Sequence, residues 1–385
     1  MQNPICSAKF ILKSRYLMKR ILILLIIFFS CCLSSNAQDR SSHDDVQYAS
    51  GIVQKVLSET QNKTLEESLG GTQVTQTVLV KVLNGENKGK IIQVENQLSS
   101  NPAYDINIKS GDRVMLDIEK QGGSSYINIS DRERIPALLI ITGIFMTLLL
   151  GIGGMKGLKS LMSLIITTAL VIFILVPSIL NRFPIIPVTV AVAFVSTICT
   201  MFLIGGFNLK SVAACIGTIG GVVSAGLISS LIINIAPLSG FHDQESIILW
   251  GSRPDLDFTG LLTSAMIIGA LGAIMDVGIS IASSIAEVKS IDNSLSAKQL
   301  VKSGLNVGKD IMGAMSNTLI LAYIGSFLPL ILLATDAPLI KLINLNSIAT
   351  EITAAVAGSI GIVLAVPITA FAAGYLMSNK SDLKK

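Results

Sequence analysis

The sequence predicts an α-helical polytopic membrane protein of about seven transmembrane helices, carrying a small all-β, barrel-like extracytoplasmic domain near its N-terminus. Three observations predict it. Hydrophobic residues make up 51% of the chain and charged ones only 14%, and from Ile135 onward apolar runs of about 20 residues follow one another, each long enough to cross a ~30 Å hydrocarbon core. Residues 38–134 instead alternate in short runs between turn signals. Lysines gather in every second connection between the apolar runs.

In chain order, Met18-Lys-Arg precedes the continuous apolar run Ile21 to Ser30, and Ser35-Asn-Ala37 then offers a small-x-small cleavage site before Gln38. These are the n-, h- and c-regions of a secretion signal, so residues 1–37 are expected to be a leader. Met18 is itself a candidate start, which would make residues 1–17 an upstream extension. Two alternatives stay open. Cys31 or Cys32 could be lipidated, although Phe28-Phe-Ser is a poor approach to such a site, or the segment could be retained as a further span. All three readings deliver residue 38 outside the cytoplasm. Three of the five cysteines lie in this leader, and Cys199 and Cys215 lie within apolar runs as small packing residues. The exported part has none, hence no disulfide framework.

Val46 to Leu57, Val74 to Leu83, Lys90 to Glu95, Arg113 to Lys120 and Ser124 to Ile129 read as strands. Gly85, Lys88-Gly89, Ser110-Gly-Asp112 and Gly122-Gly123 punctuate them. Five short strands suggest a small OB-like barrel, a fold that hosts unrelated functions. Gly85-x-x-x-Gly89-Lys90-Ile91 has the wrong spacing for a phosphate loop and lacks its Ser/Thr. With no catalytic constellation, the domain reads as one for assembly, gating or partner binding.

The predicted transmembrane domain, 135–378, divides into spans at 135–155, 161–180, 185–206, 209–235, 259–288, 311–335 and 349–378, followed by a cytoplasmic tail, 379–385. With the β domain outside, cytoplasmic loops carry Lys156, Lys159, Lys210, Lys289, Lys298, Lys302 and Lys309, and the tail Lys380, Lys384 and Lys385. External loops carry Arg182, Arg253 and Lys341. This follows the positive-inside rule, and places the protein in a cytoplasmic membrane with its C-terminus inside. Arg132 and Arg134 conflict mildly, accompanied by Asp131 and Glu133. Gly217, Gly221, Ala225 and Ser229 recur every four residues, as do Ala354 and Gly358; such faces serve close helix packing. The external loop from Pro237 to Phe258 holds His242, Asp243, Glu245, Asp255, Asp257 and Trp250. It reads as a solvated loop, with a short interfacial helix or re-entrant hairpin at Ile247 to Trp250, rather than a metal site.

The most informative stretch is GAIMDVGISIASSIAEV, 272–288. On a helix Gly269, Gly272, Asp276, Ser280, Ser283 and Glu287 share one face. From Asp276 to Glu287 is about 16 Å. A central Asp costs about 2.5–3.5 kcal/mol on insertion scales, so intramembrane acids are functional candidates. A carboxyl that exchanges a proton or a cation suits coupled transport; the structural alternative is a hydrogen bond to a neighbouring helix. In the next span Asp310, Gly313 or Ala314, and Asn317 share a face, and an antiparallel pairing would bring Asn317 to the depth of Ser280 to Ser283.

The segments GALGAIMDVGISIASSIAEV (269–288) and SGLNVGKDIMGAMSNTLILAYIGS (303–326) closely resemble the YibE/F-like family of bacterial multi-pass membrane proteins. VLVKVLNGENKGKIIQVENQLSSNPAYDINIKSGDRV (78–114) is similar to that family's extracytoplasmic domain. The resemblance covers most of 70–378. It implies a multi-pass architecture with an exported N-terminal domain and no settled activity.

Two functions follow from the residues. One is a proton- or cation-coupled transporter, or a subunit of one, that uses Asp276, Ser280, Ser283, Glu287, Asp310 and Asn317. The other is a non-transporting scaffold or sensor whose exported domain binds an envelope partner. The partners expected are the lipid bilayer, a small solute or cation and an envelope protein; nothing points to nucleic acid. An enzyme is disfavoured: only Asp276 is deep, H-E-x-x-H is absent and the chain has two histidines. No cofactor or metal is called for.

Overall fold

The computed structural model describes residues 46–62, 73–98, 101, 105–121, 124–333 and 338–378. The leader, the turn at Gly122-Gly123 and the tail therefore lie outside the described residues. The chain forms two compact units, divided between Gly151 and Ile152.

The first unit is a five-stranded antiparallel sheet. Its strands are β1 (Val46–Asn62), β2 (Gln73–Val82), β3 (Ile91–Leu98), β4 (Arg113–Gln121) and β5 (Ser124–Arg132). They run in the order β3-β2-β1-β4-β5, and β3 approaches β5 without a ladder, so the sheet curls into a half-barrel. The long β1 serves both halves because its register shifts at Val53/Lys55 and Val56/Ser58, bulges that bend a strand and raise its twist. Alternation then fills the interior with Val53, Val78, Val80, Val94, Val114 and Leu116. Gly51 lies where a Cβ would collide with Val80.

One buried amide pins the β3–β4 connection. Gln76 is 1% exposed. It donates to Glu59 Oε1 at 2.6 Å and Asn107 Oδ1 at 3.2 Å, and accepts from Asn96 Nδ2 at 3.1 Å and the Ile108 amide at 3.2 Å. Asn96 also donates to the Ile106 carbonyl at 2.8 Å. A buried network this fully satisfied specifies one arrangement of the chain. Where β5 ends, Ser50 donates to Glu133 at 3.0 Å and Arg113 faces the same carboxylate at 3.6 Å.

The helices are α1 (Ile135–Leu170), α2 (Val176–Leu180), α3 (Ile185–Gly205), α4 (Leu209–Ile235), α5 (Gln244–Ser252), α6 (Phe258–Ile291), α7 (Ala297–Ser326), α8 (Leu328–Leu333), α9 (Leu339–Ile343) and α10 (Asn346–Met377), with a π-helical turn, Val171–Leu175, between α1 and α2. Five helical stretches among the described residues are long and apolar enough to cross a membrane, rather than seven. The expected spans 135–155 and 161–180 form a single 46-residue run, Ile135–Leu180, interrupted at Gly154, whose φ of 52° and ψ of −132° are non-helical. The expected span 311–335 falls, as far as its described residues go, on α7 and α8. α7 begins well before it and carries Lys298, Lys302, Lys309, Asp310 and Asn317, which dilute its apolar content.

The core of the second unit lies between α4, α6, α7 and α10. Glycines set the approach of these helices. A Cβ on Gly217 would collide with Thr369, and one on Gly221 would stand 2.8 Å from both Ala365 Cβ and the Gly361 carbonyl. The small-residue face Gly217, Gly221, Ala225 and Ser229 is thus wholly buried and serves packing. Gly304 and Gly308 of α7 lie where a Cβ would collide with Ile285 and with Val366. α7 therefore runs antiparallel to both α6 and α10.

Gly221→Val should lower the thermal unfolding temperature of the detergent-solubilised protein by several degrees, because overpacking costs about 1–3 kcal/mol and here meets a backbone oxygen. Gly143→Val, where a Cβ meets nothing within 4 Å, should leave it unchanged. Gln76→Leu should speed amide exchange at Ile108 about tenfold or more, since an unsatisfied buried group costs about 1–3 kcal/mol.

Candidate functional site

The face of α6 follows from its sequence. Ile267, Ile274, Val277, Ile281 and Ile285 are all fully buried. The side away from them holds the small and polar residues. There Gly269, Gly272, Asp276 and Glu287 are exposed on the chain, and Ser280 and Ser283 are half-buried. The predicted stripe is therefore one continuous face. Ser284, beside it, donates to the Ser280 carbonyl at 3.0 Å. Among the described residues no hydrogen bond or ion pair engages Asp276. A carboxylate half-way along an apolar helix cannot stay so in hydrocarbon at low cost. Its side of α6 therefore suits water, a cation or a polar partner rather than lipid.

α7 differs from the expectation. Gly304 and Gly308 point into the core, and Asp310, Gly313 and Asn317, about half a turn round the helix, are exposed on the other side. The register set by Gly304 against Ile285 and Gly308 against Val366 and Ile281 places Asn317 level with Gly272 and Ala273. It does not lie at the depth of Ser280 to Ser283, and it shares no hydrogen bond with Asp276. Helix spacing alone gave each face correctly; it could not say which face of α7 meets α6.

The α7 residue that does face the stripe is Tyr323. Tyr323 Oη lies 2.7 Å from where a Cβ on Gly269 would stand, so the missing side chain leaves room for the phenol. Ser316, seven residues earlier, shares Tyr323's face. Its hydroxyl is buried without a partner. By the antiparallel register of α7 on α10 it falls opposite Ser359, whose hydroxyl is likewise buried and unpartnered.

The same seam holds an acid that sequence reasoning missed. Glu351, in the second turn of α10, has Oε2 buried with no hydrogen-bond partner. The Ser326 hydroxyl, which donates to the Tyr323 carbonyl at 2.7 Å, lies beside its carboxylate, and His242, Asp243 and Tyr323 lie within electrostatic reach of it. The signal was present, since Thr350-Glu351 opens an otherwise apolar run, but that position read as a span boundary. The loop before α5 reaches α10 through Asn346 Nδ2, which donates to the Phe241 carbonyl at 2.6 Å.

In that loop His242 Nε2 is 3.3 Å from Asp243 Oδ2. Asp243 caps α5 by accepting from the Ser246 amide at 2.8 Å. Trp250 packs edge-on against Phe241 at 6.2 Å, and Arg182 pairs with Asp255 at 2.7 Å. Among the described residues no three His, Cys, Asp or Glu side chains are grouped to hold a metal ion. A cavity of about 330 Å³ lies near the N-terminal end of α6, lined by Asn234, Asp257 and Thr263 among others; Asp276 does not border it.

Burial pushes the Asp243 carboxyl up, but hydrogen bonds from Ser246 and the neighbouring His242 outweigh it and bring the group below its ordinary range. Its folded pKa is thus depressed. The stabilisation it gives is present above the unfolded value of about 3.9 and is lost as pH falls through the folded value. Amide exchange at Ser246 should accelerate below about pH 4, and Asp243→Ala should show the faster exchange already at neutral pH, by about fivefold for a cap worth roughly 1 kcal/mol.

Residues 141–379 match the family described as YibE/F-like protein, and residues 47–132 match the YibE/F family N-terminal domain. No curated protein and no solved structure was found to match the chain.

Proposed function

The chain belongs to the YibE/F-like family, and we propose that it is a proton- or cation-coupled transporter, or a subunit of one, in which Asp276 binds the coupling ion. One observation carries this reading: Asp276 stands exposed and unpartnered on the polar face of α6, whereas a structural carboxylate would be bonded to a neighbouring helix. Ser280, Ser283 and Glu287 continue that face towards the lysine-rich end and supply oxygens along it. Asp310 and Asn317 lie on a different surface of α7, so the reading keeps them outside the ion path.

The reading includes two crossings beyond the five apolar stretches. A straight 46-residue helix would reach about 69 Å, more than twice a ~30 Å core, so the break at Gly154 suits two passes. α7 with α8 makes another. Lys210 and Lys289 then lie at one end of the bundle and Arg182 and Arg253 at the other, so the lysine end faces the cytoplasm and the β domain lies outside it. That the β domain has its own core and forms a separate unit favours a second role, binding an envelope partner. Loss of phenotype on deleting 38–130 supports that role, and an unchanged phenotype removes it.

In proteoliposomes, Asp276→Asn should reduce proton- or cation-driven flux at least tenfold while membrane insertion and the unfolding temperature are retained, and Asp276→Glu should restore part of it. Wild-type flux in Asp276→Asn would sink the transport reading.

A further inference from the structure

Three buried polar atoms without partners, Glu351 Oε2, Ser316 Oγ and Ser359 Oγ, lie along one seam between α7 and α10. Their alignment follows from the helix register. Leu319 meets Gly358, and Val301 meets Gly374, so Ser326 falls beside Glu351 and Ser316 opposite Ser359. Buried polar groups in folded proteins are almost always satisfied, by protein or by ordered water. Water bridging such groups is expected where a site is polar and offers several partners. Tyr323 lies between the two ends of this row, its hydroxyl over Gly269, and Gly269 begins the face that leads through Gly272 to Asp276. At the other end His242 is 26% exposed and can exchange with bulk water.

We propose that Glu351 is a proton-binding carboxyl at the α5 end of a water-lined path that runs along the α7–α10 seam to Asp276, with His242 exchanging the proton between Glu351 and bulk water. This rests on the reading of Asp276 as an ion-binding group. At each transfer one N–H or O–H bond breaks and one forms, so only a proton moves. Imidazole suits the outer position because one ring nitrogen can take up a proton while the other gives one up. The groups facing Glu351 fit a proton better than a bare cation. Tyr323 and Ser326 come from α7, His242 and Asp243 from the loop before α5. α4 and α6 pack the apolar side chains Ile233, Leu262 and Met266 into the same cluster as Tyr323. Lys341 of α9 is exposed and makes no ion pair among the described residues. One exchangeable imidazole next to a carboxylate and two hydroxyls makes a relay, whereas a bound cation needs more oxygens than these converge.

Dicyclohexylcarbodiimide, which modifies protonated carboxyls in apolar surroundings, tests this on the full-length protein in lipid nanodiscs, with modified residues located by peptide mass spectrometry. Between about pH 5 and about pH 9, the range over which buried carboxyls titrate, Glu351 should be modified at the acid end and progressively less towards the alkaline end. Replacing the ring removes a group that favours the ionised carboxyl, so His242→Gln should move the half-point upward by about one pH unit. No modification of Glu351 over that range, or a half-point that ignores His242→Gln, overturns the proposal. Protection of Glu351 by sodium or potassium at constant pH and ionic strength overturns the proton in favour of a cation. The two readings fail separately. Flux lost in Asp276→Asn with Glu351 unmodified sinks this inference alone. A His242-dependent titration of Glu351 in a protein whose flux ignores Asp276→Asn sinks the role of Asp276 alone.

Discussion

The close approach of α10 to α4, α6 and α7 is the contact on which the rest of the helical unit depends. It is made by glycines standing where any side chain would collide with a neighbour: Gly217 and Gly221 on α4, Gly304 and Gly308 on α7, Gly358, Gly361 and Gly374 on α10. In lipid no hydrophobic effect drives apolar helices together, so dispersion contacts and interhelical hydrogen bonds must, and these need short distances. Each glycine also fixes a register. Because Gly308 meets Val366 and Gly358 meets Leu319, the level of each inward-facing residue of α7 against α10 is set. The seam that holds Ser316, Ser359 and Glu351 follows from those two contacts.

A second constraint is the cost of polar groups among apolar ones. Most hydroxyls of the bundle meet it locally. Thr189, Thr197 and Thr369 each donate to the carbonyl four residues earlier, at 2.7–2.8 Å, and Ser163 bonds to Thr200 across α1 and α3 at 2.6 Å. Against that background the groups without partners stand out, Thr218, Ser229 and Thr350 as well as those along the α7–α10 seam, and so does the unbonded Asp276. Burying an unsatisfied group costs roughly 1–3 kcal/mol. Several of them aligned between the same helices suit a path that water completes.

The β domain solves a different problem by different means. In water its valines supply the driving force by burial. Its specificity comes from the Gln76 network and from the bulges in β1, which let one strand serve both halves of the sheet. Alternation in the sequence marked all five strands, with shorter bounds for four of them and bounds one residue later for β2. It could not show that Gln76 points inward, because a polar residue on the buried face breaks the pattern that identifies that face.

The sequence by itself determined the two-part plan, the strands, most apolar helices and the polar face of α6. Each of these rests on local periodicity: two residues per repeat in a strand, 3.6 in a helix, and run length against bilayer thickness. Gly269, Gly272, Asp276, Ser280, Ser283 and Glu287 could be aligned from spacing alone for that reason. What the tertiary structure decided was which faces meet. Asp310 and Asn317 share a face as expected, yet Gly304 and Gly308 turn the opposite face of α7 to the core, because only there can a helix approach Ile285 and Val366 closely. The same packing brings Glu351, Tyr323 and His242 together from positions 28 to 109 residues apart, separations that no local repeat encodes.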